Sequence, residues 1–186
     1  YWDDPLLGAS HRLVPVAGVS WYEASAYCRW LRRHWGEAAL HDGEAPDFPD
    51  FADFEARLPT EKEWERAAGG NNPKDRFAWD APRQVTRQMD EILARANVRE
   101  SQIGRTTPVC MYPLGASPKY AVWDLCGNVW EWQANRWAAD SDLRALRGGA
   151  FLSNADNCRL SARYWSIPLR LRYRDNGFRV VVCRSS

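Results

Sequence analysis

The stretch VWDLCGNVWEW, residues 122–132, sets two carboxylates, Asp124 and Glu131, on either side of a Gly-Asn turn. Calcium takes six to eight hard oxygen ligands, and two acids around a turn can supply several of them. The same glutamate could equally tie down the turn by hydrogen bonds alone. Soft ligands are sparse. Cysteines stand at 28, 110, 126, 158 and 183, with no CxxC pair and with spacing unlike a zinc site. Reduced thiols of a cytosolic protein are the simple reading, and one structural disulfide stays open. His11, His34 and His41 form no HxxxH array.

A third chemistry lies in Arg147–Val181. Pieces that read as fixed frame (Arg147-Gly148-Gly149, Arg159 to Arg163, Gly177 to Val181) alternate with runs that follow neither a helix nor a strand period. Those runs are Phe151-Leu152-Ser153, Tyr164-Trp165-Ser166-Ile167 and Leu169 to Asn176. Tyr164, Trp165, Ile167, Leu169 and Leu171 lie among turn signals, where a purely structural loop would be polar. Exposed aromatics and arginines are the usual chemistry of binding hot spots. Core strands of an ordinary domain and the wall of an enzyme pocket are the competing readings.

Two helices and a strand-rich second half must position these groups. SWYEASAYCRWLRRHW opens on Ser20 with Glu23 three residues on, a capping box. Ala24, Tyr27, Cys28, Leu31 and Trp35 then share one helical face. PTEKEWERAAGG repeats the device with Thr60 and Glu63, and Gly69-Gly70 stops it. Residues 36–56 lack a period and read as an acidic loop or insertion, and 81–95 as a weaker third helix. After residue 105, short apolar pieces alternate with Gly, Pro, Asn and Asp, which indicates short strands and loops. Helices first and strands later predict an α+β fold, two helices packed on a small antiparallel sheet.

The bulk numbers fit one domain of 186 residues with a real core. A net charge of +1 makes no case for nucleic acid or a membrane surface as partner. No apolar run approaches a membrane span of about 20 residues, and no signal peptide is visible, which favours a cytoplasmic setting. Eleven tryptophans are the outlying count and predict a large aromatic core.

GVSWYEASAYCRWL, RLPTEKEWERAAGG, GRTTPVCMYPLGASPKYAVWDLCGNVWEW, LRGGAF and NGFRVV occur in this order. With them the chain resembles the formylglycine-generating-enzyme (sulfatase-modifying factor) family, from about Pro15 to Val182. The resemblance implies a loop-rich C-type lectin fold over residues 1–186 as one domain, with a segment before the first motif left out. Members of that family include copper-dependent cysteine oxidases, sulfoxide synthases that take iron from a His cluster, and the variable proteins of diversity-generating retroelements.

For the oxidase, the resemblance places the copper cysteines at Ser153 and Cys158. One thiolate cannot make a two-coordinate Cu(I) site, and Ala150 stands for the serine of RGGS. Cys158 is therefore a catalytic candidate only under that alternative. For calcium, it implies Asp124, the Gly127 and Val129 carbonyls and Glu131, with a weaker second site at Asn97 and the Val98 carbonyl, where Ser101 replaces an expected Asp. It also implies that Cys28 pairs with a cysteine directly after GFR; the nearest here, Cys183, comes three residues later.

For a variable protein, the resemblance makes 147–181 the diversified region. Its candidate ligand-binding residues are Phe151, Leu152, Ser153, Tyr164, Trp165, Ser166, Ile167, Leu169, Arg170, Leu171, Arg172, Tyr173, Arg174, Asp175 and Asn176. Adenine mutagenesis of Asn codons can yield every residue type in that set except Trp165. Lys, Glu, Gln and Met, which it cannot yield, are absent from 147–186. The expected partner is another protein.

Overall fold

The computed structural model describes residues 13–39, 54–70, 76–81, 83–165 and 169–184. Helix α1 spans Trp21–Ala39 and α2 spans Glu61–Ala67. Both start as their spacing predicts. Ser20 N and Oγ donate to Glu23 Oε2 at 2.9 and 2.7 Å, and Thr60 N and Oγ1 donate to Glu63 Oε2 at 2.8 Å each. Each capping glutamate is also gripped from outside. Arg57 holds Glu63 through two bonds of 2.7 Å, and Arg172 holds Glu23 through bonds of 2.6 to 3.0 Å. These guanidinium contacts lower both carboxyl pKa values to about 2.

Ala24 and Cys28 face inward on α1, but Tyr27 does not. It is 44% exposed and packs edge-on against Phe178 at 5.5 Å. The helix lies over the narrow ribbon of β1 (Phe54–Arg57), so only a thin stripe is covered. The expected helix over 81–95 shrinks to α3, Met89–Leu93. Thr86 is the reason: its backbone N and Oγ1 donate to Asp80 Oδ1 at 3.2 and 2.6 Å, which fixes the preceding chain as a loop.

Strand β2 (Trp130–Arg136) pairs antiparallel with β3 (Arg144–Arg147), and β3 with β4 (Arg163–Trp165). The short β5 (Asn176–Gly177) joins β2 in parallel, giving the order β4-β3-β2-β5. The sheet is thus mixed where an antiparallel one was expected. Strand β6 (Val181–Arg184) pairs antiparallel with β1 in a separate ribbon.

Two core clusters flank this framework. Trp64, Phe77, Val98, Leu125, Cys126 and Cys158 belong to one, and Ala24, Cys28, Leu58, Trp132 and Leu146 to the other. Buried indoles keep their N–H groups bonded: Trp132 Nε1 donates to Val19 O at 2.9 Å and Trp64 Nε1 to Glu131 Oε2 at 2.8 Å. Cys28 and Cys183 are both free thiols, so the implied disulfide is not present. The position directly after GFR is Val180, and Val180 is what packs against the Cys28 cluster. Cys183 lies on β6 opposite Glu55. No described helix is long and apolar enough to cross a membrane.

Candidate ligand-binding site

Main-chain bonds carry part of the C-terminal frame and do not depend on the side chains of the runs between its fixed pieces. Trp130 N donates to Asp175 O at 2.8 Å, Asn176 N to Tyr173 O at 2.9 Å, and Gly18 N to Asn176 O at 2.9 Å. These bonds clamp the segment before β5 between β2 and the entry to α1. On the other side, Gly148 and Gly149 turn the chain out of β3 with positive φ. A Cβ on Gly149 would come 2.3 Å from Cys158 Sγ, so only glycine lets the next loop close over that thiol. The loop then forms a short 3-10 turn, Ala155–Cys158, capped by Asn154 Oδ1, which accepts from Asn157 N at 3.1 Å.

The frame's arginines have structural partners. Arg147 is buried between Glu61 and Glu65, and Arg163 donates two 2.6 Å bonds to Glu61. Between them, β4 brings Tyr164 opposite Leu146, with its ring 5.3 Å from that of Trp130.

A cavity of about 280 Å³ opens here, lined by Leu152, Ser153, Tyr164, Tyr173, Asp175 and Asn176 together with Arg99, Trp130, Asn154 and Asn157. Six candidate positions therefore meet in one concavity. Tyr164 and Tyr173 are 46% and 43% exposed and form walls, while Trp130 is buried beneath them. Leu171, Arg170 and Arg174 are exposed outside the cavity, and Leu169 is half-buried. Arg172 is exposed but committed to Glu23. Phe151 is 1% exposed and presents nothing to solvent. Ser166, Ile167 and the side chain of Trp165 lie outside the described residues.

The sequence missed four lining residues. Asn154 and Asn157 sit inside the 147–181 frame and could have been read with it. Trp130 belongs to the GNVWEW motif and was assigned to the core. Arg99 carries no local signal, and its backbone N reaches Ser153 O at 2.9 Å only through the fold.

Copper does not fit the residues present. Ser153 lines the cavity, but Cys158 is fully buried in the core cluster, where its Sγ donates to Asn154 O at 3.6 Å. Burial pushes its thiol well above the ordinary value and that of Cys126, in the same cluster, up to about 12. Neither supplies a thiolate at neutral pH.

Calcium does not fit the turn as it stands. Glu131 is buried, and its carboxylate already accepts from three donors: Trp64 Nε1 and Arg179 Nε at Oε2, and Arg179 Nη2 at Oε1, 2.5 Å away. The same Nη2 donates to the Trp123 and Asp124 carbonyls at 3.2 Å each. The guanidinium thus occupies Glu131, one of the expected ligands, and the neighbouring Trp123 and Asp124 carbonyls. Asp124 Oδ2 is also engaged, accepting from Cys110 N at 2.8 Å. At the second place, Ser101 Oγ lies 2.9 Å from Asn97 Oδ1 and 2.6 Å from the Val98 carbonyl, with no carboxylate among them. Among the described residues, no three His, Cys, Asp or Glu side chains gather as a metal group.

The architecture is a loop-rich α+β domain of the C-type lectin type, with a concave site built on the loops that follow β3 and precede β5. The sulfatase-modifying factor enzyme 1-like domain profile matches residues 8–184, and the chain belongs to that family. Among its relatives, the inactive C-alpha-formylglycine-generating enzyme 2 of Bos taurus is 33% identical over 145 residues, covering 76% of this chain and 40% of the relative. Hercynine oxygenase of Mycolicibacterium thermoresistibile is 30% identical over 181 residues, covering 84% of this chain and 33% of the relative. The chain thus spans less than half the length of these relatives. Among solved structures, Treponema denticola variable protein 1 superposes with a TM-score of 0.72 at 26% identity, covering 100% of this chain and 76% of that one.

Proposed function

We propose that this chain is a ligand-binding variable protein of a diversity-generating retroelement, which presents exchangeable side chains on a C-type lectin scaffold to a protein ligand. The observation that carries the reading is the cavity, in which six candidate positions converge while the frame around them is held by main-chain bonds. Such a frame tolerates replacement of the presented side chains. The likeness to a variable protein supports the same reading. Cysteine oxidation, the alternative, shares the family but not the site, since Ser153 replaces one thiol and the core encloses the other.

The test is the flanking DNA. A reverse transcriptase gene beside a near-copy of codons 147–181 that differs only at adenines is expected. A neighbourhood without either, together with oxygen-dependent oxidation of a cysteine peptide by the pure protein, would overturn the proposal.

A further inference from the structure

Two of the ten residues that line the 280 Å³ cavity are charged, and they carry opposite signs: Arg99 and Asp175. They are not paired with each other, and neither makes a salt bridge with any described residue. Asp175 is partly buried, and desolvation raises its carboxyl pKa; the one cation acting on it is Arg174. A partly buried carboxylate with no salt-bridge partner is stabilised by a ligand that brings a cation.

The cavity is thus lined by one acidic and one basic residue within about 280 Å³, the scale of a small molecule. Tyr164, Tyr173 and Trp130 add aromatic surface. An ammonium group answers the carboxylate and gains from neighbouring ring faces. An oxygen acceptor answers Arg99.

We infer that this cavity binds an α-ammonium group together with its neighbouring carboxylate or carbonyl oxygen, the chemistry of a free α-amino acid or of a peptide amino terminus. The inference rests on the reading of this concavity as a ligand site. In this reading the ammonium answers Asp175, the oxygen answers Arg99, and the amino-acid side chain lies against the aromatic walls.

Calorimetric titration with three probes tests it: L-phenylalanine, L-phenylalaninamide and N-acetyl-L-phenylalanine. Phenylalanine is expected to bind and the acetylated form, which has no ammonium, to bind at least about tenfold more weakly, the loss of one charge-assisted bond. Equal binding of the amide assigns the site to a peptide terminus, and preference for the acid assigns it to the free amino acid. Asp175→Asn and Arg99→Gln should each weaken phenylalanine binding. Arg99 is exposed, so the second variant keeps the fold even where the first does not. Equal binding of the acetylated probe, unchanged affinity in Arg99→Gln, or no binding of any probe at millimolar concentration would overturn the inference. If the template repeat is found while all three probes fail, the ligand-binding reading stands and this inference alone falls.

Discussion

Replacing Arg179 by methionine tests what holds the Gly-Asn turn. The substitution keeps an unbranched stem and removes the guanidinium from Glu131 and from the Trp123 and Asp124 carbonyls. Glu131 then keeps only the Trp64 N–H, inside a site where its side chain is 5% exposed. Removing one partner of a buried pair costs about 3–5 kcal/mol, most of it from the uncompensated charge. Arg179 is itself 26% exposed, so the lower end of that range applies. At about 2–4 °C per kcal/mol for a chain of this size, the melt should fall by roughly 6–12 °C. Adding Glu131→Gln removes the stranded charge while keeping an acceptor for Trp64, and should restore at least half of the loss. Calcium should leave the melt of the chelator-stripped parent unchanged, because the guanidinium holds the Glu131 carboxylate oxygens. In Arg179→Met those oxygens are free, and calcium should raise the melt. A variant that melts within one degree of the parent would refute the argument. So would a parent that calcium stabilises and Glu131→Gln makes indifferent, since that would place the ion, not the arginine, at the turn.

Three further outcomes follow from named contacts. Thr60→Ala removes an N-cap and should cost about 1 kcal/mol in a urea titration; an unchanged midpoint would mean that Arg57 and Glu63 fix the helix start without it. Glu23 and Glu63 have folded pKa values lowered to about 2 from 4.5, so their stabilisation is present above the unfolded value and lost as pH falls from about 5 towards 2. Both carboxylates are at least a third exposed, so screening reduces the effect; Arg57→Gln with Arg172→Gln should flatten this acid limb, and an unaltered limb would contradict the assignment. Tyr164, Leu169, Leu171 and Tyr173 changed together to Ser or Asn should leave a cooperative melt within a few degrees of the parent, because none is buried. Four core truncations at about 2–5 kcal/mol each would exceed the stability of a domain, so an unfolded product would show these side chains to be core.

Local spacing was enough for the sequence to determine both helix starts. A capping box joins residues three apart, and Ser20–Glu23 and Thr60–Glu63 form wherever the chain enters a helix there. The order of motifs was likewise enough for the fold class, and the irregular runs between frame pieces marked 151–153, 164–167 and 169–176 as candidate segments. Partners were not legible. Arg172 meets Glu23 across 149 residues, Arg163 meets Glu61 across 102, and Arg179 meets Glu131 across 48. Each is an ordinary surface-type residue until the fold chooses its neighbour. Only the tertiary structure turned Arg172 from a binding candidate into a clamp on α1, sent Phe151 inward while Tyr164 stayed out, and set Arg99 beside a loop more than fifty residues away. The physical reason is the same in each case. Helix capping and turn formation are decided by atoms a few residues apart, whereas burial, ion pairing and the walls of a cavity depend on which distant segments the strand register brings together.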